Sequence, residues 1–128
     1  MQTQPKWMTI AGWVLTVFIV GMLAFSATMK FRSPPDLVDE LVGRLGYPAA
    51  ATLYIGAAEL ASALLFLFPR TAVLGAVLLT GYLGGAVATH VRVEDNFAGP
   101  AIGGALVWLA LFLREPRVRA MLPVLWRD

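Results

Sequence analysis

Four apolar stretches, residues 10–29, 48–68, 71–91 and 97–113, take up most of this chain and limit what it can fold into. Crossing about 30 Å of hydrocarbon takes roughly 17–25 helical residues at 1.5 Å each, and every stretch reaches that length. One residue resists the pattern. Glu59 stands well inside the second stretch, in GAAELASALLFLF at 56–68, so the fold must accommodate an ionisable group among apolar ones.

Composition supports the same reading. Hydrophobic residues make up 59% of the 128 and charged residues 14%, against about 25% charge in a soluble domain. A soluble fold this short buries too small a share of its surface to hide so much apolar area. Inside lipid only helices or closed barrels satisfy their own backbones. The expectation is therefore an all-α membrane protein: one domain over 1–128, built as a four-transmembrane-helix bundle in contact with the lipid bilayer. Lys6 before an apolar run, with Ala24-Phe25-Ser26 behind it, imitates a signal peptide, and the segment is read as a retained first span. Cysteine is absent, which excludes disulfides, thiolate metal sites and thiol redox chemistry carried by this chain. One histidine and one buried carboxylate are too few ligands for a metal site. The net charge of +2 comes from basic residues flanking the spans, so no nucleic acid partner is expected.

The connections add detail. Phe68-Pro69-Arg70-Thr71 is a tight turn that makes spans two and three antiparallel neighbours. Between spans one and two, SPPDLVDELVGRLGYP at 33–48 predicts a short amphipathic surface helix over about 34–45. Ser33 would be its N-cap, Pro34 its first residue and Gly46 its stop. Leu37, Val38, Leu41, Val42 and Leu45 share one face, opposite Asp36, Asp39, Glu40 and Arg44, as suits a helix lying on the membrane surface. Tyr47 then falls at the headgroup level, and Trp7, Trp13 and Trp126 suit the same belt, while Trp108 lies deeper against a neighbouring helix.

Lys6, Arg70, Arg114, Arg117, Arg119 and Arg127 gather on one side, and Lys30, Arg32, Arg44 and Arg92 on the other. That bias predicts both termini in the cytoplasm of a bacterial inner membrane. The basic tail 114–128, with Met121, Leu122, Leu125 and Trp126 among its arginines, would rest on the inner leaflet.

The polar residues inside the spans suggest function. A charge at mid-bilayer costs about 2.5–3.5 kcal/mol on insertion scales. Glu59 should therefore face the bundle interior, beside Thr52, Gly56, Ser62 and Ala63 at helical spacing. Counted from the turn at 68–71, Tyr82 differs from it in depth by roughly 3 Å, which makes Tyr82 the candidate hydrogen-bond partner and Thr80 the lesser one. Lys30, His90 and Arg92 would form the mouth of a polar cleft with Glu59 and Tyr82 at its floor. Lys30 and His90 would stand about 15 Å above Glu59 by the same rise per residue. Structural readings stand beside these: Glu59 as a helix-register residue, His90 as an interfacial histidine, Lys30 and Arg92 as snorkelling side chains, and Gly81–Gly85 as a helix-packing pair.

Taken together, MKF at 29–31, GAAELASALLFLFPRT at 56–71, LLTGYLGGAVATHVR at 78–92 and WLALFLREP at 108–116 resemble the DoxX-like family. The resemblance implies a four-helix membrane bundle and brings Lys30, Glu59, His90 and Arg92 onto positions that recur in the family's motif. It implies no single activity. Relatives include a subunit of a thiosulfate:quinone oxidoreductase, proteins tied to quinone or thiol stress, and eukaryotic proteins that assist receptor assembly or cargo export. The lack of cysteine argues against direct thiol chemistry.

The favoured function is binding of a lipophilic ligand, quinone- or lipid-like, through Glu59, Tyr82, Lys30, His90 and Arg92, in support of membrane redox or small-molecule metabolism. A quinone is the candidate cofactor. The alternatives are an enzyme using Glu59, with His90, as general acid or base on a lipophilic substrate, and an accessory protein with a membrane-protein partner or a second copy of itself. A proton-coupled exporter ranks last.

Overall fold

A computed structural model describes residues 4–121, and among these the chain is helices and connecting turns with no strand. Helix α1 spans Lys6–Arg32, α2 spans Pro35–Val38 and continues into a widened π-turn over Asp39–Arg44, and α3 spans Ala51–Leu67. Helix α4 spans Ala72–Arg92, α5 spans Ala98–Arg114, and α6 spans Pro116–Met121. Two helical segments, Lys6–Arg32 and Pro69–Arg92, are long and apolar enough to cross a membrane; α3 and α5 are shorter apolar helices.

The helix ends follow from local chemistry. Ser33 is the C-cap of α1, in the left-handed region with its N–H on the Met29 carbonyl. The expected N-cap role passes to Pro34, with Pro35 opening α2. The reason is that two successive prolines bar α1 from continuing and leave Ser33 to close it. Gly46 does act as a stop: its φ of 80° lets the Tyr47 N–H return to the Leu41 carbonyl at 2.9 Å, one residue farther back than the six-to-one bond of a Schellman turn, as suits the widened π-turn before it.

The four long helices pack in a closed ring: α1 against α3 and α5, and α4 against α3 and α5. Close backbone approaches fix the ring at one end, the inner end, which carries the 68–71 turn and the start of α1. A Cβ on Gly75 would lie 2.1 Å from the Phe66 amide nitrogen, and one on Gly12 would lie 2.6 Å from that of Arg114. The core fills the same half: Phe66, Leu79, Val107 and Leu111 are fully buried there, with Ala63, Ala76 and Ala110 between the helices. The outer half is looser. Gly81 and Gly85, expected to pack helices, meet no neighbour within contact distance. They border a cavity instead.

Segment 33–50 is a strap across the outer end of the ring. Leu41 and Leu45 turn into the protein and are buried, so these two do not face lipid as the surface-helix reading expects. Three polar ties hold the strap down. The Arg92 guanidinium donates to the Leu45 carbonyl at 2.5 Å, Arg44 pairs with Asp95 at 2.5 Å, and the Tyr47 and Thr89 hydroxyls share a hydrogen bond of 2.6 Å. The outward surface of the ring is apolar: Val14, Phe18, Phe25, Tyr54 and Leu74 all stand exposed, Tyr54 by 76% and Phe25 by 69%.

Candidate functional site

Helix α3 buries Thr52, Gly56, Glu59, Ser62, Ala63 and Phe66 on one stripe, the face that helical spacing predicts for Glu59 and its small neighbours. Gly56 sets up the site. A Cβ there would lie 3.1 Å from Lys30 Cβ and 3.3 Å from the Ala27 carbonyl, so only a small residue lets α1 come this close. Lys30 then starts level with Gly56, three residues from Glu59, or about 4.5 Å along the helix. Its side chain runs inward. Lys30 Nζ reaches Glu59 Oε1 at 3.0 Å and Ser26 Oγ at 2.6 Å.

This corrects the expected 15 Å separation. That figure assumed that the outer ends of the first two spans are flush. In the structure the chain leaves α1 at Ser33, climbs through the strap and re-enters at Ala51, so the start of α3 stands above the end of α1. Lys30 and Glu59 form a nearly buried ion pair, 11% and 4% exposed at their side chains. Removing one partner of such a pair commonly costs about 3–5 kcal/mol, because the other is left as an uncompensated charge.

Lys30 is therefore the ion-pair partner of Glu59, although helical spacing places it too far away, and Tyr82, the expected partner, stands beside the same carboxylate. Tyr82 lines the same cavity and its hydroxyl feels the Glu59 charge. Thr80 faces elsewhere and accepts the Trp108 indole N–H at 2.8 Å. His90 Nδ1 lies 2.7 Å from the Ala86 carbonyl. A carbonyl can only accept, so Nδ1 carries a proton, while Nε2 lies 4.0 Å from Asp95 Oδ2. Arg92 is not a cavity residue, because its guanidinium is turned onto the strap.

Two cavities meet at these groups. The larger, about 490 Å³, is walled by apolar side chains of α1, α4 and α5 and reaches Lys30, Glu59, Tyr82 and His90. Its lining includes the exposed Phe18, Met22 and Ile102, so it opens sideways between α1 and α5. The smaller, about 290 Å³, lies under the strap against Leu41, Leu45 and Tyr47. Lys30, Tyr82, Ala86 and His90 border both. The arrangement is an apolar chamber with polar groups gathered at one end, of the size and character of a small-molecule site. Sequence reasoning missed Ser26, which anchors Lys30, and the Tyr47–Thr89 pair, because nothing local marks side chains that meet only across helices.

A second buried cation lies at the inner end. Arg114 is 3% exposed. It donates to Thr16 Oγ1 at 2.8 Å and to the Phe66 carbonyl at 2.5 Å, and its guanidinium lies over the Trp13 and Phe66 rings. The sequence reading placed Arg114 in a tail on the leaflet and Trp13 in an interfacial belt. Both are instead tied into the core, since α5 runs unbroken to Arg114 and carries it back under α1. Met121, in the same expected tail, is exposed at the end of α6. Leu122, Leu125, Trp126 and Arg127 lie outside the described residues.

Outside the bundle, Asp95 is held below the usual carboxylate range, first by its hydrogen bond from Arg44 and then by the Asn96 backbone N–H.

An all-helical ring with an ion pair at the end of an apolar chamber defines a class of small helical proteins with apolar outer faces. Residues 14–113 match the DoxX-like family, and the chain belongs to it. No curated protein and no solved structure matches the chain.

Proposed function

We propose that this chain is a four-span integral membrane protein that binds a lipophilic ligand in the chamber between α1, α4 and α5, with the ligand's head at Lys30, Glu59, Tyr82 and His90. One observation carries the reading. A charged pair is kept nearly buried at the end of a cavity that is otherwise apolar and opens sideways. Charged groups inside a bilayer are costly, and they commonly mark a site rather than a structural need.

Exposed aromatic and aliphatic side chains around the ring suit lipid as the surrounding solvent. Helices α3 and α5, 17 residues each, fall at the short end of the range for spanning. The distribution of Lys and Arg favours both termini on the cytoplasmic side. A quinone-type head in its reduced, hydroxyl-bearing form or a lipid head suits the site, since Lys30 supplies a donor and Tyr82 can donate or accept.

The test is mass spectrometry of the lipophilic molecules that copurify with wild type and with Glu59→Gln. A compound enriched in the wild type and lost in the variant is the expected result. Only bulk lipid in both would sink the proposal and assign Glu59 to structure. An enzymatic variant of this reading gives His90 the proton-transferring role, because it borders both cavities while Glu59 is engaged by Lys30. Conversion of the bound compound that stops in His90→Gln, with binding intact, would establish it.

A further inference from the structure

The reading above leaves the ligand's head group open, but the charges around the chamber narrow it. The charged side chains lining the two cavities are Lys30 and Glu59, one of each sign and in contact. The other polar linings are hydroxyls and His90. Nearby charges are already engaged: Asp95 holds Arg44, and Arg92 is bound to the Leu45 carbonyl. The chamber is thus charge-balanced before anything enters. A carboxylate, phosphate or ammonium head would arrive there without a free counter-ion, and an unpaired charge away from water is heavily penalised.

Hydrogen-bonding capacity narrows it further. The Lys30 ammonium has three N–H donors; Ser26 and Glu59 Oε1 occupy two of them, which leaves one. Lys30 bonds Oε1 of Glu59, and a carboxylate has about four acceptor sites, so Glu59 keeps acceptor capacity at the chamber wall beside Tyr82. The Tyr82 hydroxyl can act either way, while His90 Nε2 lies 4.0 Å from Asp95 Oδ2 and is not a free acceptor. A head that only accepts would leave the carboxylate oxygen unmet, and a head that only donates would leave the ammonium proton unmet. Each such loss costs about 1–3 kcal/mol in a buried site.

Resting on the binding role proposed above, we infer that the ligand is an uncharged amphiphile whose head carries both a hydroxyl donor and an acceptor oxygen. Its apolar chain lies in the larger cavity and leaves between α1 and α5.

The experiment uses the full chain in phosphatidylcholine nanodiscs, offered three amphiphiles with the same hydrocarbon chain. These are a monoacylglycerol, a fatty acid and a primary alkylamine. Retention per protein, over that of empty nanodiscs, is read by mass spectrometry. Wild type is expected to retain the monoacylglycerol at least about tenfold better than either charged probe, a preference of about 1.4 kcal/mol. Glu59→Gln, which leaves the Lys30 cation unbalanced, is expected to turn the preference toward the fatty acid. Circular dichroism and a monodisperse elution profile check that the variant is folded.

Equal or better retention of a charged probe by wild type would overturn the inference while leaving a binding site in place. A folded Glu59→Gln protein that still prefers the monoacylglycerol would overturn it too. If wild type retains none of the three above empty nanodiscs, the binding role itself fails. The wild-type comparison does not depend on any variant folding.

Discussion

Two buried cations stand at opposite ends of this protein, and the protein treats them differently. Lys30, at the outer end, has an acid partner, a serine and an open cavity beside it. Arg114, at the inner end, is held by a hydroxyl, a backbone carbonyl and two aromatic rings, in the half of the molecule where the core is filled. Arg114 thus acts as a rivet, its planar fork binding α1, α3 and α5 together at one point. Lys30 belongs to an arrangement that leaves space unfilled, and close packing is the rule wherever no ligand must fit. A buried charge alone is therefore a poor sign of function in this chain. A buried charge beside a void is a better one.

Glycine substitutions test the contrast most severely. Gly75→Ala puts a methyl group onto the Phe66 backbone, a clash with main chain that no rotamer change relieves, so its cost should exceed the roughly 1–3 kcal/mol of ordinary core overpacking. Thermal unfolding in detergent should show the largest drop of any variant named here, or no folded protein at all. Gly85→Ala meets open space and should leave the midpoint unchanged while narrowing the smaller cavity. Equal losses in the two would mean that the outer half is as tightly packed as the inner.

The ion pair comes next. Glu59→Gln and Lys30→Met should each destabilise by about 3–5 kcal/mol as single changes, and the double variant should recover most of that loss. A double-mutant cycle in denaturant reads the coupling, and additive losses would mean that the pair is not the unit the geometry suggests.

Arg114→Lys is the matching test at the other end. A lysine is shorter and has no planar fork to lie over the Trp13 and Phe66 rings while reaching Thr16 and the Phe66 carbonyl, so a loss of about 1–2 kcal/mol is expected. Ligand retention should be unchanged in this variant, and a change would link the rivet to the chamber.

The smallest effect belongs to the strap. The folded pKa of Asp95 is lowered by Arg44, so this contact contributes stability above the ordinary carboxylate pKa and loses it as pH falls through the lower folded value. Hydrogen exchange in the strap should quicken below about pH 4 in the wild type. In Asp95→Asn it should already be faster at neutral pH and vary little with acid. A strap equally protected in both proteins would show that the buried Leu41 and Leu45 hold it without the ion pair.

How far the sequence was legible can be judged residue by residue. Helix positions, the tight turn at 68–71, the stop at Gly46 and the buried stripe carrying Glu59 all depend on neighbours within a few places along the chain. Hydrophobic spacing and turn chemistry report those faithfully. The family resemblance was legible for a related reason: its motifs are short runs in a fixed order. Ser33 shows the limit of local reading, because a good N-cap residue became the C-cap of the preceding helix once two prolines followed it.

The site was legible only in part. Sequence determined that Glu59 faces inward, that Tyr82 lies near its level, and that Lys30 and His90 lie near the ends of their helices. It could not pair Glu59 with Lys30, because that pairing depends on how far one helix is raised against the next. A close approach at Gly56 sets that offset, and no local pattern encodes it. The same holds for Arg114 and Trp13, brought together from opposite ends of the chain, and for Arg92, captured by the strap. Tertiary structure alone decided which buried charge fills space and which borders it, since helix offset and cavity shape arise only when whole helices pack.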